Sequence, residues 1–245
     1  MLPAPQLAAF SPDQLSFAFG AWPLRAAEEL RSALIYRALA RASASALPEF
    51  TARFAAVARE EVGHARLCAT VGAQLGAAAP AYDARPVRAR LACVPDPHAR
   101  TLALVVSEVA IGETISMAMF RESRRATTEP MTRAAIESIL ADEARHQQLG
   151  WDALAALAAG GAAAHEAISA EATTTLAHSE QQIAAPSLRF LERGDAFDPA
   201  WAQLGVIHPE RRVEAFYAAV EQLVLPRLAE LGIDAQRAWT NRYRV

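Results

Sequence analysis

The chain of 245 residues contains no lysine, because all 24 of its basic residues are arginine. Schiff-base, pyridoxal-phosphate and P-loop chemistry each depend on a lysine amine, so these function classes are excluded. Cysteine is almost absent as well. Cys68 and Cys93 are too few and too far apart for a disulfide scaffold or a CxxC site, so we expect a protein of the reduced cytoplasm.

Aromatic residues make up only 7% of the chain, and long alternating runs of β-branched residues are missing. With abundant alanine and 53% hydrophobic residues, this composition predicts an all-α fold with ample material for a core. We expect one domain over residues 1–245. The net charge of -3 gives no general attraction to nucleic acid.

No basic segment followed by an apolar core is seen at the N-terminus, and the most apolar run, 102–120, is interrupted by Glu108 and Glu113. Neither secretion nor membrane insertion is therefore expected. Apolar periodicity and helix breakers predict six helices, near 23–44, 47–76, 98–126, 129–159, 161–185 and 209–233.

Pro23 suits a first helical turn, and the long stretch between the second and third helices predicts a crossover. The short "TTEP" between the third and fourth helices predicts an antiparallel pair. We therefore expect a four-helix bundle of two antiparallel hairpins over about 20–160. Two C-terminal helices over about 161–245 would cover it.

The stretch "ILADEARHQQLGW" places two polar residues on the apolar side of the fourth helix. Glu143 and His146 fall between Ile139 and Gly150 in steps of four, three and four residues, which is the spacing of an inner bundle seam. A buried carboxylate costs several kcal/mol unless a partner compensates it. Glu143 therefore demands such a partner.

The second helix repeats the pattern in "EEVGHARLC". Its seam contains Val57, Glu61, His64 and Cys68, so Glu61 and His64 also project inward. One Glu-x-x-His pair is weak evidence, but two at matching seam positions indicate a two-metal carboxylate site within a four-helix bundle. Such a site needs one further glutamate from the leading helix of each hairpin.

The first helix offers Glu28 and Glu29 for this role. The seam through Glu29 is apolar or aromatic, whereas Arg31 lies near the seam through Glu28, so we favour Glu29 and keep Glu28 as the alternative. On the third helix the seam favours Glu113. Glu108 stays open because this helix is apolar on nearly all sides.

The spacings agree with a duplicated hairpin. Glu29 precedes Glu61 by 32 residues, and Glu113 precedes Glu143 by 30. Four carboxylates carry four negative charges, which two divalent cations would neutralise, and two imidazoles give each metal ion one nitrogen ligand. The buried polar residues of the seams are thereby explained.

The segments "EEVGHARL", "IGETI" and "ADEARHQQLGW" resemble the ferritin-like superfamily of diiron-carboxylate proteins, in particular bacterial stand-alone ferritin-like domain proteins. The resemblance covers about residues 20–160. It implies two iron ions that react with dioxygen or peroxide, with manganese left open at one or both positions. Carried over position by position, it implies six metal ligands, which are Glu29, Glu61, His64, Glu113, Glu143 and His146.

Three further residues near these seams have two interpretations each. Tyr36, on the Glu29 seam, is either a packing residue or a redox-active phenol. Cys68 is either a small buried hydrophobe or a contact at the metal edge. His178, on the fifth predicted helix, is either solvated or a seventh ligand. The sequence also leaves a homodimer open.

The leading functional hypothesis is a non-haem diiron oxidase or oxygenase acting on a small organic substrate. No CxxC pair of the kind that holds the second iron site of rubrerythrins is present, so an external electron donor is expected. The alternatives are a ferroxidase or peroxidase of the rubrerythrin or ferritin type, and a helical module that its metal ions only stabilise.

Overall fold

The computed structural model describes residues 2–78 and 82–244, and all regular structure within these ranges is helical, as predicted. We number the helices of the N-terminal part α1 to α5 and those of the C-terminal part α6 to α9. The first group comprises α1 Pro12–Ala46, α2 Thr51–Leu75, α3 Arg85–Ala92, α4 Pro97–Ala126 and α5 Pro130–Ala158. The second comprises α6 at 162–192, α7 Pro199–Gln203, α8 at 209–230 and α9 Ala235–Asn241.

Helices α1, α2, α4 and α5 form the expected four-helix bundle. Short connections join α1 to α2 and α4 to α5 as two hairpins, and the hairpins pack with α1 against α4 and α2 against α5. The crossover between them includes α3, which was predicted as irregular chain. Residues 79–81 of the predicted crossover lie outside the described part of the chain.

Helix α1 begins eleven residues before its predicted start. The Ser11 hydroxyl accepts a hydrogen bond from the backbone N–H of Gln14, and the Gln14 side chain accepts one from the backbone N–H of Ser11. This capping box, with Pro12 in the first turn, starts the helix at Pro12. The prediction that Pro23 lies in a first turn was therefore wrong, since Pro23 lies inside α1.

Helices α4 and α5 begin close to their predicted starts because acidic side chains cap them. Asp96 accepts a hydrogen bond from the N–H of Ala99, and Glu129 accepts bonds from the N–H groups of Met131 and Thr132. Within α4, the segment Val105–Gly112 is π-helical. A π-helical turn contains one residue more than an α-helical turn, so it changes the face that later residues present.

The two predicted C-terminal helices are present as α6 and α8, and the short α7 and α9 were not predicted. Helix α6 was expected to end at residue 185, before Pro186, but it continues to Glu192. A π-helical segment, Glu180–Ala184, ends two residues before this proline, and Val220–Val224 likewise ends two residues before Pro226 in α8. The wider turn accommodates the proline ring, which would otherwise break the helix.

Two apolar clusters fill the bundle on either side of a polar layer. One contains Trp22, Cys68, Phe120 and Ile139, and the other contains Phe54 together with residues of α4, α5, α6, α8 and α9. By length and composition α4 is apolar enough to cross a membrane, but 61% of its most apolar window is buried inside the structure, as in the core helix of a bundle. The single-domain division stays a prediction.

Candidate metal centre

Four ligand-type side chains meet in the polar layer of the bundle. Glu61 and His64 lie on α2, Glu143 and His146 lie on α5, and all four are buried. One ligand atom from each lies within 4.8 Å of those of the other three. Residues three positions apart are neighbours on a helix surface, which is why each helix presents its Glu and His together. The structure thus brings together the two Glu-x-x-His pairs.

The Nδ1 atoms of both imidazoles face this cluster. His146 Nδ1 is 3.0 Å from Glu61 Oε1, and His64 Nδ1 is 3.6 Å from Glu61 Oε2. Glu143 Oε1 lies 3.4 Å from His64 Nδ1 and 3.8 Å from His146 Nδ1. Glu61 and Glu143 therefore each contact both rings, which suits carboxylates that serve both halves of a paired site.

Glu29 and Glu113 flank the cluster from α1 and α4. Both carboxylates are buried, and Glu29 Oε2 is 3.7 Å from His64 Nδ1. Glu113 Oε1 accepts a hydrogen bond of 2.8 Å from the Tyr36 hydroxyl. All six predicted ligands thus lie in or beside one buried group.

The alternative glutamates are directed to another residue, Arg31. Arg31 Nη2 is 2.8 Å from both carboxylate oxygens of Glu108, and Arg31 Nη1 is 3.7 Å from Glu28 Oε2. The Glu28 side chain is also 73% exposed. Among the four candidates on α1 and α4, the structure therefore places only Glu29 and Glu113 beside the two histidines.

The remaining candidates lie as follows. His178 is exposed on α6 and is not part of the buried group. Cys68 belongs to an apolar cluster, and burial raises the pKa of its thiol, so it stays neutral. Tyr36 is packed in the core as well as bonded to Glu113, and burial and the nearby negative charges raise its pKa.

A second layer of polar residues, which sequence reasoning missed, orients the imidazoles. His64 Nε2 is 3.2 Å from Asp142 on α5, and His146 Nε2 is 2.8 Å from Glu60 on α2. Arg145 donates hydrogen bonds to both of these carboxylates. The available signal was the acidic residue that immediately precedes Glu61 and Glu143, in "EE" and "DE". Such outer partners fix ring orientation and tautomer in metal sites.

Without bound cations, the cluster carries an excess of negative charge. Burial raises the pKa of Glu143, and the charges of Glu113 and Glu61 raise it further. Burial also raises the pKa of Glu29 to about 8 and that of Glu113 to about 7. Burial acts to lower the pKa of His64, but Glu29 and Glu61 outweigh it and raise that pKa to about 10. Protons bound at these raised pKa values therefore offset part of the negative charge of the cluster.

Several atoms of the cluster are buried and have no hydrogen-bond partner in the described part of the chain. They are Glu61 Oε1, Glu143 Oε2 and the Nδ1 atoms of His64 and His146. His146 Nδ1 and Glu61 Oε1 lie 3.0 Å apart but without the geometry of a hydrogen bond. Buried polar atoms are normally paired, so four unpaired atoms within one buried cluster indicate a missing ligand. Imidazole and carboxylate donors suit iron or manganese. The residues present therefore fit a metal centre.

Helix α4 reaches the cluster through its π-helical segment and a close approach to α5. A Cβ atom added at Gly150 would lie 2.4 Å from the carbonyl oxygen of Val109, so the two backbones are in direct contact. Gly150 follows His146 by one turn, and Val109 precedes Glu113 by one turn. Glycine at this position thus lets α4 bring Glu113 up to the site.

Comparisons with known proteins agree with this geometry. Among solved structures, "Protein 19 with aldehyde deformylating oxidase activity from Synechococcus" matches with a TM-score of 0.62 and 18% identity, over 95% of this chain and 99% of that one. A search of curated proteins finds no match. The family model described as Rubrerythrin matches residues 26–150, which include all six candidate ligands. The chain therefore belongs to the rubrerythrin family of ferritin-like diiron-carboxylate proteins.

Proposed function

We propose that the protein is a diiron oxidoreductase that uses dioxygen to oxidise a small organic substrate. The observation that carries this proposal is the set of buried nitrogen and oxygen atoms, without hydrogen-bond partners, that the two Glu-x-x-His pairs offer as metal ligands. A structural metal site is normally closed by its full set of protein ligands, whereas a catalytic site keeps positions open. With six protein ligands for two ions, such positions are expected.

Each half of the site would hold one ion. Glu29 and His64 would bind one, Glu113 and His146 would bind the other, and Glu61 and Glu143 would be shared. The iron pair, when bound, would supply the electrons and Lewis acidity that the reduction of dioxygen requires.

The chain's own residues orient these ligands and exclude water. Asp142 and Glu60 accept the N–H of the outer imidazole nitrogens, so Nδ1 of each ring is left as the metal-facing atom. The Tyr36 hydroxyl holds one oxygen of Glu113. Apolar residues above and below the layer keep bulk water from the reacting atoms.

We take a recess between α1, α3 and α4 as the candidate binding region for a small organic substrate. Its outer part is a cleft of about 260 Å³ that includes Tyr82 and Val87. Its narrow inner part, of about 20 Å³, is lined by apolar residues and by the Arg31–Glu108 pair. Arg31 follows Glu29 by two residues and therefore lies on a different face of α1, so the recess runs along the helix that carries a ligand without opening onto the ligand itself.

The electron donor in this proposal is an external protein or small reductant. Cys68 is buried and Cys93 is exposed, and neither forms a disulfide. The absence of further cysteines from the sequence leaves no second iron site of the CxxC type. A cytoplasmic location, where reductants are abundant, suits such a protein.

The solved structure from Synechococcus supports an oxidase acting on an organic compound, since its description names aldehyde deformylating oxidase activity. At 18% identity this likeness establishes the fold alone, so the substrate class has to be tested directly. Short aldehydes, alcohols and hydrocarbons are the first compounds to examine.

The test begins with protein loaded anaerobically with two ferrous ions per chain. On mixing with air-saturated buffer, we expect rapid dioxygen uptake and near-ultraviolet absorption from ferric iron, and Glu61→Ala should lose both. With a reductant present, one of the organic compounds should accelerate uptake and yield an oxidised product. Iron that stays ferrous in air for hours would refute the proposal. Peroxide consumption without any organic product would replace it with peroxidase activity.

A further inference from the structure

The two halves of the candidate site are related by the duplicated hairpin, yet their surroundings differ. The half built on α4 and α5 contains Glu113 and His146. The half built on α1 and α2 contains Glu29 and His64. We call two positions equivalent when they lie the same number of residues from the corresponding ligand glutamate or histidine of their own half.

The α4/α5 half is braced by hydrogen bonds between its helices. Trp151 Nε1 and Gln147 Nε2 donate to the Thr114 hydroxyl oxygen over 3.0 and 3.1 Å, and that hydroxyl donates to the carbonyl of Ala110. Thr114 adjoins Glu113, and Gln147 adjoins His146. The positions equivalent to Thr114, Gln147 and Trp151 in the other half are apolar, namely Leu30, Ala65 and Ala69.

The flanking carboxylates are also held differently. Glu113 accepts a hydrogen bond from Tyr36 over 2.8 Å, whereas no hydroxyl in the described part of the chain donates to Glu29. A carboxylate fixed in place loses less conformational freedom when it binds an ion. The α4/α5 half is therefore the better organised before metal binds.

A half-buried cation lies beside the α1/α2 half. Arg25 precedes Glu29 by one helical turn, and its guanidinium stacks over the rings of Trp22 and Phe120 at 4.8 and 5.6 Å. Its Nη2 donates hydrogen bonds to the Ser123 hydroxyl and to the carbonyl oxygen of Gly205. Its Nη1 is buried and has no hydrogen-bond partner among the described residues. The equivalent residue of α4, one turn before Glu113, is the apolar Val109.

A fixed positive charge one turn from Glu29 repels a divalent cation bound there, and low local polarity strengthens that repulsion. We propose that the two metal positions are unequal. The first ion binds tightly at Glu113 and His146, and the second binds more weakly and exchanges at Glu29 and His64. Gly150, Thr114 and Tyr36 act as positioning residues for the tight site. This inference rests on the proposed two-metal function.

The test is a titration of metal-free protein with cobalt(II), followed by calorimetry and by the visible absorption of bound cobalt. We expect two steps whose dissociation constants differ by about tenfold or more, the free-energy equivalent of one charge-assisted hydrogen bond. Two equal steps would overturn the inference but leave the two-metal function intact. Failure to bind any cobalt would instead refute the metal centre.

Two glycines provide a matched pair of variants. Gly150→Ala adds a Cβ atom that pushes α4 away from α5, so it should weaken binding in the tight step about tenfold or more. The dissociation constants of the two steps should then become similar. Gly63 lies on α2 between the ligands Glu61 and His64, but a Cβ atom added there has no atom within 4 Å. Both dissociation constants should therefore be unchanged in Gly63→Ala. Equal weakening of both steps in Gly150→Ala would contradict the assignment.

Milder variants keep the inference testable if Gly150→Ala does not fold. Tyr36→Phe removes one hydroxyl and should weaken only the tight step, with a change in the cobalt spectrum of that step. Arg25→Met keeps an apolar stem of similar length and should strengthen only the weak step, by about tenfold. Ser123 still donates to Gly205 in that variant. If Arg25→Met left the dissociation constant of the weak step unchanged, repulsion by the Arg25 charge would not be the cause of the weak binding at Glu29 and His64.

Discussion

Glu60 of α2 accepts a hydrogen bond of 2.8 Å from Nε2 of His146, a residue of α5. One helix thus fixes the ring that the other contributes to the site. The reciprocal contact, from His64 of α2 to Asp142 of α5, makes the arrangement nearly symmetric. Ligand orientation therefore depends on how α2 and α5 are packed, and not only on the ligands themselves.

Replacing Glu60 by alanine should weaken metal binding about 10–100-fold, because His146 loses the partner that sets its orientation and tautomer. Calorimetric titration with cobalt(II) or iron(II) measures the effect. Glu137→Ala is the control, since Glu137 is also a half-exposed, arginine-paired glutamate but lies away from the cluster. Equal affinities for the Glu60 variant and the control would show that the contact is unimportant.

His146→Ala should reduce bound metal from two ions to about one or fewer per chain, because the remaining carboxylates cannot replace the imidazole nitrogen. The metal-dependent gain in melting temperature should shrink as well, since ligand binding stabilises only the folded state. Elemental analysis and thermal unfolding with and without metal provide the measurements.

Cys68→Ser is the comparison for this variant, since Cys68 lies one turn beyond His64 in an apolar cluster. Metal content should stay unchanged in Cys68→Ser. If His146→Ala still bound two ions per chain, the ligand assignment would have to be abandoned.

The stability of the metal-free protein should fall as pH rises from about 6 to 9. In the folded state the pKa of Glu113 is raised to about 7, that of Glu29 to about 8 and that of His64 to about 10. The folded protein therefore holds protons that the unfolded chain has already lost, so raising the pH favours unfolding. Denaturant unfolding at several pH values measures this slope.

Metal binding should reverse that dependence. The ions bind deprotonated carboxylates and neutral imidazoles, so binding releases protons and its apparent affinity rises with pH. Calorimetry in buffers of different ionisation enthalpy counts the protons released. Binding that released no protons near pH 7 would contradict the assigned protonation states.

Filling the recess should separate metal binding from oxidation of the organic substrate. Val87 of α3 lines both parts of the recess, so Val87→Phe should slow substrate-dependent dioxygen uptake while leaving metal stoichiometry unchanged. Oxygen-electrode measurements with and without substrate distinguish the two. If substrate oxidation kept its full rate, another path to the metal centre would have to be sought.

The bundle and its inward residues were predictable because they follow from spacing alone. Steps of three and four residues placed Glu61, His64, Glu143 and His146 on the inner seams, and the structure has them there. The predicted preference for Glu29 over Glu28 rested on the same rule.

Other features depend on contacts between helices, which periodicity does not describe. Arg31 donates a hydrogen bond to Glu108 only because α1 packs against α4. Glu60 accepts one from His146 only because α2 packs against α5. The early start of α1 was missed for a local reason, since Pro23 was given more weight than the capping signal at Ser11. Cytoplasmic location, partners and substrate stay predictions.

The π-helical segment of α4 makes the chain's length as important as its composition. An α-helix turns by about 100° per residue, and the wider turn between Val105 and Gly112 takes up about one extra residue. If this segment became regular α-helix with all its residues kept, Glu113 would rotate away from the centre by about that angle. Relatives that share this centre should therefore either keep the π-helical segment or lack one residue within it.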